Sequence, residues 1–231
     1  QTGSGVAGKH RQGGQSAKRF QKLREMELSY FYNRVAQTTR EYFIDIYKST
    51  KRMIRLVDDL LNISRLETGV LKIEPVAINF EGIIRDVAKE LHSLADEKYG
   101  KIIIEVPEKN IPAIPLDESL MGQVIRNLVG NAIHYSKSGK CEVRIKLEKG
   151  KEDYILSITD KGIGIPKDRQ NRIFEKFFRA GNAQKMDPEG TGLGLYISKM
   201  IVESSGGKIW FESEEGKGTI FYVSIPLIGM K

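Results

Sequence analysis

Cysteine is almost absent from these 231 residues: Cys141 stands alone, which excludes an internal disulfide and any zinc site built on thiolates. Proline is missing before Pro75, and between Ser16 and Thr68 glycine is missing too, so no residue in that stretch breaks a helix. No run of 18 apolar residues occurs, so no membrane span is expected. The Gly- and Gln-rich start lacks the apolar core of a signal peptide. A reducing cytoplasm is the expected compartment. Acidic residues are scarce only at one end. Residues 1–40 hold eight Lys or Arg against Glu25 and Glu27, a net +6 out of the +7 of the whole chain. Such asymmetry points to a polyanion contact made by that segment, with a solvated basic helix face as the plain alternative.

A basic loop is expected through about residue 15, with Ser16 as N-cap of a helix. From there apolar residues recur at helical spacing: Phe20, Leu23, Leu28, Phe31 and Val35. A second series, Ile46, Met53, Val57 and Leu60, runs near heptad spacing and calls for another helix to pack against. Taken literally this is one helix of about 53 residues, roughly 80 Å long, with Gly69 as its stop. A hairpin within 33–40 is the other option. The seam predicts a homodimer or a missing helix.

After Gly69 helices and strands interleave. The pattern predicts strands over 70–74, 101–106, 142–148, 154–159, 208–213 and 219–225. It predicts helices over 80–98, 117–135 and 192–205, with a polar loop over 161–190. Strands concentrated late suggest an α+β two-layer sandwich preceded by a long helix or helical hairpin.

Four constellations carry chemistry. Asn127 and Asn131 share a helix face, with His134 beyond them; a hydrated Mg²⁺ with phosphates would suit two such amides, and plain surface asparagines would look the same. Asp160-Lys-Gly162-Ile-Gly164 follows an apolar strand. Its carboxylate could accept from an exocyclic amine, or it is simply a strand-exit turn. Phe174, Phe177 and Phe178 are either core or the anchors of a mobile lid, with Lys176 and Arg179 then near phosphates. Gly190-Thr191-Gly192-Leu193-Gly194 opens a helix, where free N–H groups attract anions. Its GxGxG spacing is not that of a dinucleotide-binding fingerprint, and no GK[ST] marks a Walker A loop.

In this order and spacing, the four motifs over residues 70–227 resemble the N, G1, F and G2 boxes of the histidine-kinase ATP-binding domain, the Bergerat or GHKL fold. The resemblance implies ATP beneath a lid. It implies Mg²⁺ on Asn131, with Asn127, His134, Tyr135 and Arg179 on the phosphate and ribose side. It puts Asp160 on the adenine amine, Gly162 and Gly164 beside the ring, and Gly190 to Gly194, Thr191 and Leu193 included, over the triphosphate. Hydrolytic members of that superfamily carry a glutamate four residues before the Mg²⁺-binding asparagine; Asn127 stands there, which implies phosphoryl transfer to another residue rather than hydrolysis. Such kinases pass phosphate on to a response regulator.

Residues 46–69 resemble the second helix of the kinases' dimerisation hairpin. The first helix, with its acceptor histidine, acidic neighbour and proline, has no match: His10, His92 and His134 all stand in other contexts. A separate acceptor hairpin would then be the substrate. In its place residues 3–43, with Gly13-Gly14-Gln15, resemble the central domain of archaeal and eukaryotic peptide-chain release factors. That resemblance implies RNA contact by residues 1–40 and a GGQ loop acting on peptidyl-tRNA. The expected divisions are therefore 1–45, 46–69 and 70–231, an apparent chimera. A nucleotide-binding dimer scaffold without phosphotransfer is the remaining alternative.

Overall fold

In a computed structural model, the structure describes residues 9–68, 72–106, 111–137, 139, 141–187 and 190–230, the side chains of 9–21, 23, 25, 27, 28 and 48 excepted. The chain falls into two compact units, Gln1–Arg55 and Leu56–Lys231.

Helix α1 runs unbroken over Lys9–Glu67, 59 residues, which at about 1.5 Å per residue is roughly 88 Å. No hairpin interrupts it at 33–40. The helix also begins earlier than expected, passing through Gly13, Gly14 and Gln15 where the sequence suggested a loop. Propagating an existing helix through two glycines costs only about 1 kcal/mol each. The GGQ side chains lie outside the described residues. In the first unit α1 leaves Tyr30, Phe31, Tyr32, Tyr42, Phe43, Ile46 and Tyr47 all at least 60% exposed. Its last turn closes as Thr68 donates its amide and its hydroxyl to the Ser64 carbonyl at 3.1 and 2.7 Å. The expected stop, Gly69, lies outside the described residues. No helix among the described residues is long and apolar enough to cross a membrane.

In the second unit residues 72–74, within the strand expected over 70–74, form no strand. Residues 70 and 71 lie outside the described residues, and strand β1 is Val76–Ile78, paired antiparallel with β3, Ile114–Leu116. A distant partner, not local pattern, selects those residues. The helix expected over 80–98 divides at Leu91 into α2, Phe80–Glu90, and α3, His92–Asp96. Asn79 caps α2 through the amides of Glu81 and Gly82. Strand β2, Lys101–Glu105, precedes α4, Glu118–His134, whose N-cap Asp117 accepts from the Leu120 amide at 3.0 Å. Strands β4, Glu142–Lys149, and β5, Asp153–Thr159, follow. The expected polar loop carries a 3-10 turn, Lys167–Arg172, and a short helix α5, Gly181–Met186. Helix α6, Gly194–Ser204, and strands β6, Lys208–Glu214, and β7, Gly218–Pro226, complete the unit.

The five-stranded sheet has the order β2-β4-β5-β7-β6, antiparallel except for the parallel pair β2 and β4. Period-2 alternation turns one face inward: Val143, Ile145 and Leu147, then Tyr154, Leu156 and Ile158, then Phe221, Val223 and Ile225. Phe80, Ile84, Met121, Ile125, Leu128 and Ile133 from α2 and α4, with Ile197 and Ile201 from α6, close that core. On the opposite face Trp210 stacks on Tyr222, ring centroids 5.1 Å apart. This is the α+β two-layer sandwich that the alternation predicts.

Candidate functional site

Asp160 directly follows strand β5 and is 7% exposed. Its Oδ1 accepts the Gly162 amide at 2.7 Å, and its own amide donates to the Thr219 carbonyl at 2.9 Å. Burial pushes this carboxyl up to about 6, against the pull of the Gly162 and Thr219 amides. A buried carboxyl held by one short turn is poised to accept a hydrogen bond from a ligand.

The glycines beside it have geometric reasons. A Cβ on Gly162 would sit 2.4 Å from the Tyr135 carbonyl oxygen, and one on Gly164, where φ is +62°, would sit 2.0 Å from the Glu214 carbonyl oxygen. The loop therefore lies flat between the end of α4 and the β6–β7 turn. Both missing Cβ positions are taken by the protein's own atoms, so these glycines let the turn that cradles Asp160 pack closely.

Helix α4 brings Asn131, His134 and Tyr135 to the same end, because Ile163 donates its amide to the Tyr135 carbonyl at 3.1 Å. Asn131 and Tyr135 are half-buried and His134 is exposed. Asn127 lies one turn back, where its Nδ2 donates to the Gly194 carbonyl at 3.3 Å and to Ser198 Oγ at 3.4 Å. The glycine-rich segment is thus fastened to α4, and α6 begins at Gly194, two residues later than the sequence suggested. Gly192 packs on the backbone of Phe177, and Leu193 is fully buried.

Two cations expected near phosphates have protein partners. The side chain of Arg179, 11% exposed, donates Nη1 to the Gly190 carbonyl at 3.0 Å and Nη2 to the carbonyls of Ala183 and Asp187, with the Asp187 carboxylate at 3.8 Å. It holds α5 to the glycine-rich segment. Lys176 pairs with Glu67 at the end of α1, which also accepts from Tyr196 Oη at 2.7 Å. The Lys176 ammonium lies over the Tyr196 ring, 5.1 Å from its centroid, and its hydrogen bond holds Glu67 below the usual carboxylate range. Thr191 donates to Asp59 at 3.2 Å. Of the three phenylalanines, Phe174 and Phe178 pack on the core, whereas Phe177 is 59% exposed with a φ of +62°. It lines a cleft of about 300 Å³ with Leu60, Ile63, Ser64, Glu67, Thr68 and Lys176, which shares no residue with the Asp160 cradle.

No motif marks Asp59, Glu67 or Tyr196, whose partners lie over a hundred residues away. The i, i+4, i+7 spacing of Asp59, Ile63 and Leu66 was the available hint, since Ile63 and Leu66 are buried.

Residues 116–229 match the family model described as histidine kinase-, DNA gyrase B- and HSP90-like ATPase, and residues 1–57 match that for eRF1 domain 2. The sensor protein kinase WalK of Staphylococcus epidermidis is 37% identical over 180 residues, 78% of this chain but 29% of that protein. A Staphylococcus aureus WalK is equally similar over 43% of its own length. The chain therefore spans 29% to 43% of the length of these relatives. Among solved structures, full-length ShkA in complex with AMPPNP superposes with a TM-score of 0.70 at 27% identity, over 83% of this chain and 39% of that one. Histidine kinase ThkA in complex with the response regulator TrrA gives 0.62 at 26%, over 77% and 49%.

Proposed function

The chain carries an ATP-binding domain of the histidine-kinase type, and from that premise we propose that it binds Mg-ATP and offers the γ-phosphate to a histidine outside residues 1–231. The observation that carries this is Asp160: a residue 7% exposed just after a strand, beside a turn with no side-chain atoms at Gly162 and Gly164. That cradle fits a flat ring bearing an amine. Asp160 would accept from the adenine amine, while Tyr135 and the Gly162–Gly164 turn would bound the ring. Gly190, Thr191, Gly192, Leu193 and Gly194 would cover the phosphates, with His134 and Arg179 as cationic or hydrogen-bonding candidates; Arg179 would first have to leave carbonyls of its own segment.

Asn131 is the proposed contact for Mg²⁺. No group of three His, Cys, Asp or Glu able to cage a metal occurs among the described residues. An amide oxygen with phosphate oxygens and water suits this ion, which would supply charge neutralisation at the transferring phosphate. Asn127 is neutral and its Nδ2 is engaged by α6, so no base stands there to activate water. Positioning of a second nucleophile is what remains to the residues present.

The acceptor is proposed to be a separate dimerisation hairpin, and onward transfer to a response regulator is supported by the ThkA–TrrA complex. The exposed seam of Ile46, Met53, Val57 and Leu60 supports a homodimer. Buried, unpaired Cys141 accords with a reducing cytoplasm. The decisive assay incubates the chain with Mg²⁺ and γ-labelled ATP, alone and with such a hairpin, and reads acid-labile label. Label on the hairpin alone is expected. ATP binding without label on either partner would replace the kinase reading with a nucleotide-bound scaffold.

A second reading attaches to the first unit. The match of residues 1–57 to eRF1 domain 2 and the exposed Lys22, Arg24, Arg34 and Arg40 support RNA contact by that helix. If all eight basic residues within 1–40 touched phosphate, log K would fall against log salt with a slope of roughly −6. A flat salt response would remove this reading.

A further inference from the structure

We propose that Lys98 is a positioning residue for the nucleotide site, clamping the turn where the end of α4 meets the Asp160 loop. Half-buried just after α3, Lys98 points its ammonium at three backbone oxygens. Nζ donates to the carbonyls of His134 at 2.5 Å, Ile133 at 2.9 Å and Ser136 at 3.4 Å. An ammonium has three donors, and here each faces a carbonyl at or just beyond the end of α4. Helix ends leave their last four carbonyls without intrahelical partners and carry partial negative charge. A lysine reaching in from another element answers both.

The backbone of Lys98 holds the same segment from its other side, since the Lys98 carbonyl accepts the Gly139 amide at 3.3 Å. Lys98 therefore holds Ile133, His134, Ser136 and Gly139 at once. That turn is also the wall of the Asp160 cradle. The Tyr135 carbonyl, between two of the clamped oxygens in sequence, accepts the Ile163 amide at 3.1 Å. It also lies 2.4 Å from where a Gly162 Cβ would stand. Gly162 in turn donates to Asp160 at 2.7 Å. A shift of the Tyr135 carbonyl has no slack to absorb it before it moves Gly162, and with it the carboxyl. Lys98 touches no part of the cradle itself; it acts through Tyr135.

The inference rests on the ATP reading, so the test separates the two. In the full chain, Lys98→Met keeps the stem and removes the donors, whereas Lys98→Arg restores donors and charge. ATP and ADP affinities are measured by titration calorimetry well below each variant's thermal midpoint. Exchange of the Ile163 amide is followed by NMR without nucleotide. Lys98→Met should weaken ATP and ADP by the same factor, about tenfold, because the moved wall faces the part the two share. Lys98→Arg should recover most of that loss. The Ile163 amide should exchange faster in Lys98→Met while the amides of β4 and β5 keep their protection. Parent-like affinity, loss confined to ATP, or unchanged Ile163 exchange would overturn the proposal. Lys98→Gln, a milder change with two donors left, carries the same expectations if Lys98→Met does not fold. A parent chain that binds neither nucleotide would sink the ATP assignment, and the exchange data would still decide whether Lys98 clamps the turn.

Discussion

Replacing Asp160 with asparagine should make the nucleotide-free chain more stable and less able to bind ATP. Asp160 is 7% exposed, and burial raises its carboxyl from the 3.8 of a freely solvated aspartate to about 6. At about 1.36 kcal/mol per tenfold change in proton affinity, that gap corresponds to roughly 3 kcal/mol. A folded-state value above the unfolded one adds stability that is fully present below 3.8 and lost as pH rises through about 6. At pH 8 the native chain therefore carries the whole cost of a buried charge. Asparagine removes the charge, but its amide needs an acceptor, which returns about 1 kcal/mol. The net expectation is a gain of about 2 kcal/mol at pH 8. By pH 5 the parent has recovered about 1.4 kcal/mol through protonation, so the difference should shrink to below about 1 kcal/mol. Urea unfolding of both chains at the two pH values, without nucleotide, reads this directly, and ATP titration at pH 8 reads the loss of binding. Equal stability at pH 8, or a difference that does not change with pH, would refute the burial argument. Unchanged ATP affinity would refute the adenine assignment.

Gly164→Ala forces a Cβ into the left-handed region 2.0 Å from the Glu214 carbonyl oxygen. It should cost more than about 2 kcal/mol and lower the thermal midpoint by several degrees; an unmoved midpoint would mean the loop relaxes freely. Tyr154 buries a hydroxyl that has no hydrogen-bond partner among the described residues, so Tyr154→Phe should leave stability unchanged or raise it by up to about 1 kcal/mol. A loss larger than that in urea melts would reveal a partner for the hydroxyl. Ile46, Met53, Val57 and Leu60 are 62%, 66%, 50% and 48% exposed, and truncating all four to alanine should convert a dimer to a monomer on size exclusion. An elution volume identical to the parent's would remove this seam as the interface.

What was legible in the sequence was local. Alternation marked β4, β5 and β7 within a residue or two, because one face of each is buried and the other is not. Asp117 announced α4 through its side chain alone. Each of the four motifs is a run of neighbours, so local pattern alone can pick it out. What was not legible depends on partners far along the chain. β1 forms where Ile114–Leu116 lies ready to pair with it, beyond Pro75, and residues 72–75 ahead of it form no strand. Leu91 interrupts a helix whose pattern continues to Lys98. If the phenylalanines anchor a lid, Lys176 and Arg179 are expected near phosphates; no local pattern reports the partners they have here, the carbonyls of Gly190, Ala183 and Asp187 for Arg179 and Glu67 for Lys176. No periodicity reports a lysine such as Lys98 turning back onto carbonyls 35 to 38 positions later.

The order of the sheet has a consequence for how the domain is made. β7 is the last strand in sequence, yet it lies inside the sheet between β5 and β6. Until residue 226 has left the ribosome, β5 presents a bare edge of unpaired amides and carbonyls, and β6 has no strand to join. Nascent chains of this domain must therefore wait, with Leu156 and Ile158 uncovered on one side, for a segment synthesised about sixty residues after β5. Cutting the chain at Gly218 would remove two of the four pairings of the five-stranded sheet at once.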